Sequence, residues 1–221
     1  MPQKKPQKTV KSAAKPTIDR RKWLLAALDA VPQTGWTPEV WPKTAKKLGC
    51  DAALAEIVFP NGIKGLVEEF NLWADAAMEA RITRDAGYPH MKVRQKIAFA
   101  VRARLETLAG REEALRRLLA WSAVPTNAVT ALKGLYATVS TAWYAAGDTS
   151  TDYNFYTKRA LLAGVVTATT LFWLNDDSAK KAATWAYLDS RIDDVMQIGQ
   201  KIGQAKQFGS LAEKFMRYRQ G

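Results

Sequence analysis

The sequence predicts an all-α protein, and three observations carry that expectation. Apolar residues recur with the 3.6-residue period of a helix through nearly the whole chain after residue 17. No stretch shows the alternation of a half-buried strand, and Pro, Gly or a capping residue stands at each break in the periodicity. A chain of 221 residues can bury a sizeable core as one large domain or two small ones, and eight Trp point to a large aromatic core or binding surface.

Residues 1–17 read as a disordered basic tail. The segment Met1–Lys22 holds Lys4, Lys5, Lys8, Lys11, Lys15, Arg20, Arg21 and Lys22 against Asp19, which is +7 of the +12 net charge. Pro2–Pro16 has too few large apolar residues to offset the entropy of ordering it. Nucleic acid, anionic lipid and an acidic partner all fit such a tail, and so does plain solubility. It lacks the apolar stretch of a signal peptide and is Lys-rich rather than Arg- and Ser-rich, so a bacterial cytoplasmic setting is expected.

After the tail the periodicity predicts helices at about 18–31, 37–48, 51–58, 62–86, 91–109, 112–122, 127–146, 150–174, 180–200 and 204–218. The breaks carry Thr37-Pro38, Gly49, Pro60-Asn61-Gly62, Gly87-Tyr88-Pro89, Pro125 and Gly147-Asp148. These elements group into a head over 18–70, a helical bundle over 71–203 and a terminal helix over 204–221. The apolar run from Ala160 to Leu174 is about 22 Å long as a helix, short of the roughly 30 Å hydrocarbon core. It predicts a buried helix rather than a membrane span.

Chemistry-bearing constellations are missing. The single Cys50 excludes an internal disulfide framework, and the single His90 removes His clusters for a metal. There is no ExxH pair, no GxSxG and no Gly-rich phosphate loop, and Asp193 and Asp194 have the spacing of a solvated face. The expectation is a protein with no catalytic residue, no metal and no cofactor.

Three short helices followed by "VFPNGIKGLVEEF" (58–70) have the spacing of a helix-turn-helix head, and this stretch resembles the start of TetR-type regulators. A ligand-responsive regulator of that type is therefore one reading. The reading helix of such a head must offer donors and acceptors to base edges. Here it is "DAALAEIV": Asp51 and Glu56 carry the wrong charge for phosphates, and Ala52, Ala53 and Ala55 offer only methyl groups. Sequence-specific DNA is not an expected partner.

In "WYAAGDTSTDYNFYTKRALLAGV" (143–165), Gly147 suits a helix C-cap and Thr149 to Asp152 fits an [ST]-x-x-[DE] capping pattern. Asp152, Phe155, Tyr156 and Arg159 fall at i, i+3, i+4 and i+7, on one helix face. That composition suits either a protein-binding hot spot or a core edge with a charged rim. Near the C-terminus Phe208, Leu211, Phe215 and Met216 cover one side of a helix, with Lys214 and Arg217 toward the other. Such a helix fits a bilayer surface or a dimer partner.

The motifs "AWYAAGDTSTDYNFYTKRALLAGV", "ATWAYLDSRIDDVMQI" (183–198) and "KVRQKIAFAVRARLE" (92–106) closely resemble the coenzyme Q biosynthesis accessory family, the ninth of the Coq proteins. The resemblance covers roughly residues 18–200. It implies a TetR-like helical fold that is not a repressor, a homodimer, and an isoprenoid quinone lipid held in a cavity of the C-terminal half. It also implies seating on an anionic membrane, here the bacterial inner membrane, and assistance to the di-iron demethoxyubiquinone hydroxylase.

Within that family the partner surface carries over to Asp152 and Tyr156. Phe155 stands where eukaryotic members carry Trp, which keeps the ring and loses the indole donor. Lys158 departs from the Arg-Arg pair of those members, while Arg159 keeps it. Candidates for the cavity wall are Leu161, Leu162, Val165, Val166, Leu171, Phe172 and Trp173, with Leu135, Tyr136 and Trp143 opposite. Each of these also suits a plain core, so the cavity itself follows from the resemblance. The terminal helix, on the same ground, is expected on the membrane.

Overall fold

The computed structural model describes residues 19–150 and 153–198, without the side chains of Tyr153 and Asn154. Among these residues there are helices and no strands. In chain order they are α1 (Arg20–Thr34), α2 (Val40–Leu48), α3 (Leu54–Val58), α4 (Gly62–Arg84), α5 (Val93–Thr107), α6 (Glu112–Ser122), α7 (Ala128–Ala145), α8 (Tyr153–Asn175) and α9 (182–198). Short 3-10 turns at Tyr88–His90, Pro125–Asn127 and Ala179–Lys181 precede α5, α7 and α9.

Local chemistry sets the ends. Asp19 caps α1, its carboxylate accepting from the Lys22 backbone N–H at 3.1 Å. The helix runs past the expected end at 31, carrying Pro32 in its last turn, and closes where the Gly35 N–H donates to the Val31 carbonyl at 2.7 Å. A proline there removes one intrahelical bond without blocking the final turn. Conversely α3 is shorter than the expected 51–58. Asp51 accepts from the Ala53 N–H at 2.9 Å, a side-chain turn that delays the helix to Leu54.

The organising element is α4. Leu66, Phe70, Ala74 and Met78 recur every four residues along it and are each at most 1% exposed. The row meets α1, α5 and α7. Each large side chain buried this way contributes roughly 1.5–3 kcal/mol. Trp36 meets Phe70 edge-on at 5.5 Å, and its indole donates to the Ala114 carbonyl at 3.0 Å, tying the α1–α2 turn to α6. Trp41 stacks on Phe59 at 5.6 Å and closes the head. Because α4 runs unbroken through residues 70 and 71, head and bundle share one helix and one continuous core.

The later helices extend that core. α7 packs on α4 and α5, and α8 packs on α7. At the α8–α9 corner Asp176 accepts from the backbone of Ser178 and Thr184, both at 2.8 Å. Hydrogen bonds from Ser178 and Thr184 hold its carboxyl well below the usual carboxylate range. Ion pairing of Arg94 with Asp193 at 2.8 Å, and Arg102 over the Trp185 ring at 4.9 Å, lay α9 along α5.

Candidate functional site

A cavity of about 400 Å³ lies among α4, α6, α7 and α8, with Arg104 of α5 at its wall. Val67 and Phe70 close one side, Leu115, Leu118 and Leu119 of α6 another, and Leu132 and Leu135 of α7 a third. From α8 come Val166, Thr167 and Thr170. A volume of that size with an apolar lining and a few convergent polar groups is typical of small-molecule sites. Leu132 lines the cavity and is 65% exposed, so the cavity opens to solvent beside α7.

Of the cavity residues expected from sequence, Leu135 and Val166 line this space. The others do not line it. Leu162, Val165 and Trp173 are sealed in the core. Trp143 is buried as well, its indole donating to the Lys158 carbonyl at 3.2 Å. Leu161 is half-buried and Tyr136 exposed. Leu171 and Phe172 border a separate cleft, where Phe172 stacks on Tyr187 at 4.7 Å. Helical periodicity identifies the apolar faces of α7 and α8, but it does not separate the positions that pack in the core from those that border a space.

The cavity wall carries a polar network that sequence reasoning missed. Arg104 donates from Nε to Asp75 Oδ1 at 2.7 Å and from Nη2 to Asn71 Oδ1 at 2.9 Å. Thr138 donates to both Asp75 oxygens, at 2.9 and 3.0 Å. Asp75 and Arg104 are each 8% exposed. The signal was available: Asp75 directly follows Ala74 of the buried row, and Arg104 lies between Ala103 and Leu105, both buried.

The second assembly is the corner between α7 and α8. α7 closes with Gly147 at φ +92°, its N–H donating to the Tyr144 carbonyl at 3.0 Å, while the Asp148 N–H reaches Trp143 at 3.0 Å. This paired cap needs a left-handed residue, which Gly adopts freely. Asp148 then gathers the corner. Its carboxylate accepts from Ser150 Oγ at 2.7 Å, Lys158 Nζ at 2.8 Å and Arg159 Nη1 at 3.1 Å. Burial pushes the Asp148 pKa up, but the bonds from Lys158, Ser150 and Arg159 outweigh it and hold the group down at about 2.

Arg159, expected on an exposed face, is 1% exposed. It lies beneath that face because Asp148, Ser140 Oγ at 3.2 Å and the Phe155 carbonyl at 3.0 Å accept from its Nε and Nη1 inside, while Nη2 is buried without a hydrogen-bond partner among the described residues. Its guanidinium sits 3.4 Å from the centre of the Phe155 ring and 4.9 Å from that of Tyr144. Phe155 is half-buried by this contact and meets Tyr156 edge-on at 5.1 Å. Tyr156 itself is 65% exposed. Asp152 lies outside the described residues, as do Phe208, Leu211, Lys214, Phe215, Met216 and Arg217.

Among the described residues no helix is long and apolar enough to cross a membrane. No three His, Cys, Asp or Glu side chains among them gather in a way that could hold a metal ion.

Residues 128–199 match the COQ9 family model. Over 192 residues, 84% of its length, the chain is 34% identical to the mitochondrial ubiquinone biosynthesis protein COQ9 of Rattus norvegicus, and it is 33% identical to that of Homo sapiens over 191 residues. It spans 61% and 60% of those two proteins. Among solved structures, the TetR transcriptional regulator from Nitrosomonas europaea superposes with a TM-score of 0.65 at 17% identity, over 80% of this chain and 98% of that one. At that identity the likeness speaks for the fold alone.

Proposed function

The chain belongs to the COQ9 family, and on that premise we propose that it is a non-enzymatic accessory of ubiquinone biosynthesis that binds an isoprenoid quinone intermediate. The carrying observation is the apolar cavity among α4, α6, α7 and α8, whose volume suits the end of a lipid chain and its ring. In this reading the protein acts as a homodimer seated on the anionic surface of the bacterial inner membrane through residues 204–221. It draws the lipid partly out of the bilayer and presents the ring to the di-iron demethoxyubiquinone hydroxylase. The hydroxylase docks over Tyr156 and Phe155, near Asp152.

Exposed aromatic surface anchored on a buried charge pair supports the docking role, since hot spots combine large rings with rigid backing. Native mass spectrometry with lipid extraction tests the binding role. A bound isoprenoid quinone is expected, and protein carrying no isoprenoid lipid after expression in a ubiquinone-producing host overturns it. Tyr156→Ala is expected to lower hydroxylase recovery in a pull-down about tenfold without shifting the melting temperature; unchanged recovery removes the docking surface.

The TetR-like fold raises a second reading, a ligand-responsive regulator. The exposed residues at its would-be reading helix are Asp51, Ala53, Glu56 and Ile57, which offer DNA no basic side chain. A gel shift at moderate salt is expected to show no preferred sequence.

A further inference from the structure

We infer that Arg104 is the headgroup anchor of the cavity, and that its pairing with Asp75 makes the site select neutral, oxygen-ended amphiphiles over anionic lipids. The inference rests on the lipid-binding reading above and adds what end of the lipid is recognised and by which atoms.

A guanidinium has five N–H groups. Two of those on Arg104 are used, by Asp75 and Asn71, and the remaining three have no partner among the described residues. The residue is 8% exposed and forms part of the wall of a cavity that opens to solvent, so an occupant takes the place of water at these donors. An occupant without an acceptor would displace that water and leave the donors unpaired, which is costly. An occupant that brings an acceptor oxygen to Arg104 relieves that cost.

The charge of the occupant follows from what stands behind the arginine. Asp75 lies 2.7 Å from Arg104 and is itself buried, so the pair is neutral as a unit. A carboxylate or phosphate entering the cavity would be a second anion against one cation, and would be stripped of its water with too little return. A carbonyl or ether oxygen accepts the same hydrogen bond without a charge to desolvate. Thr138 and Asn71 keep the pair in register, and Gly134 permits it: a Cβ there would lie 2.5 Å from Asn71 Nδ2. Leu115, Leu118, Leu132 and Leu135 line the same space and receive the chain.

The test measures binding of three probes to the full chain: a ubiquinone with a short isoprenoid tail, an isoprenoid hydrocarbon of matching length without oxygen, and palmitate. The unmodified protein is expected to bind the quinone at least tenfold more tightly than either other probe, the return of one charge-assisted hydrogen bond. Asp75→Asn/Arg104→Met removes both charges together, and it should erase the quinone's advantage while leaving hydrocarbon binding unchanged. Arg104→Lys keeps the charge balance and replaces the planar fork with a single ammonium, so it serves if the double variant does not fold; it should cost the quinone several-fold and the hydrocarbon nothing. Equal binding of quinone and hydrocarbon, or palmitate binding as tight as the quinone, overturns the anchor and leaves the lipid reading standing. Binding of none of the three overturns both.

Discussion

Arg159 and Asp148 show how a single side chain acquires its role from its surroundings. Helical spacing puts Arg159 on the same face as Phe155 and Tyr156, yet the folded chain uses it as the buried floor of that face. Removing its counter-ion with Asp148→Ala should cost about 3–5 kcal/mol in urea unfolding, because a buried guanidinium then has no carboxylate. The same carboxylate predicts an acid response. Its pKa is about 2 in the folded chain against an ordinary 3.8, so the stability it contributes is complete above about pH 4 and is lost as the pH falls toward 2. The amount is on the order of 2 kcal/mol, and the pH dependence should flatten in Asp148→Asn, read by chemical unfolding at successive pH values. Tyr88 supplies a contrasting case. Its hydroxyl is buried without a hydrogen-bond partner among the described residues, and burial pushes its pKa up to about 12. Tyr88→Phe removes an unsatisfied polar atom and keeps the edge contact with Phe99 at 5.5 Å, so a neutral or slightly raised melting temperature is expected.

Among the elements, the α7–α8 corner was the best marked in the sequence. Gly147 was legible as a C-cap, and the paired cap bonds place it there with φ +92°. A Cβ at Gly147 would meet nothing within 4 Å, so Gly147→Ala tests backbone conformation alone and should cost about 1–2 kcal/mol in thermal unfolding. Gly134 on α7 was not marked at all. Its role is a close approach of α4 to α7, and nothing in a local pattern announces which neighbour will come near. α3 illustrates the same limit at a helix start, since Asp51 serves a side-chain turn rather than the helix. Periodicity states that a face is apolar; it does not state whether that face meets another helix or a space. For this reason Leu162, Val165 and Trp173, expected at the cavity, are core, whereas Leu135 and Val166 reach it.

On the scale of the whole molecule, head and bundle are joined by α4, whose buried row runs without interruption through both. A ligand among α4, α6, α7 and α8 would therefore bear on the shared helix directly. Removing residues 204–221 belongs to this scale too: their apolar and cationic faces predict weaker binding to anionic liposomes, and sedimentation with vesicles checks it. By itself the sequence determined the helical class, the breaks at Gly and Pro, the absence of base-reading side chains from the third helix, and the family, because these depend on residue type and short-range spacing. Only the tertiary structure decided where the cavity lies and which charges are spent inside. Asn71, Asp75, Arg104 and Thr138 come from three helices and converge only when α5 and α7 close on α4. Burial and charge compensation are properties of that convergence, so a lone Asp or Arg in an apolar stretch hints at them without revealing its partner.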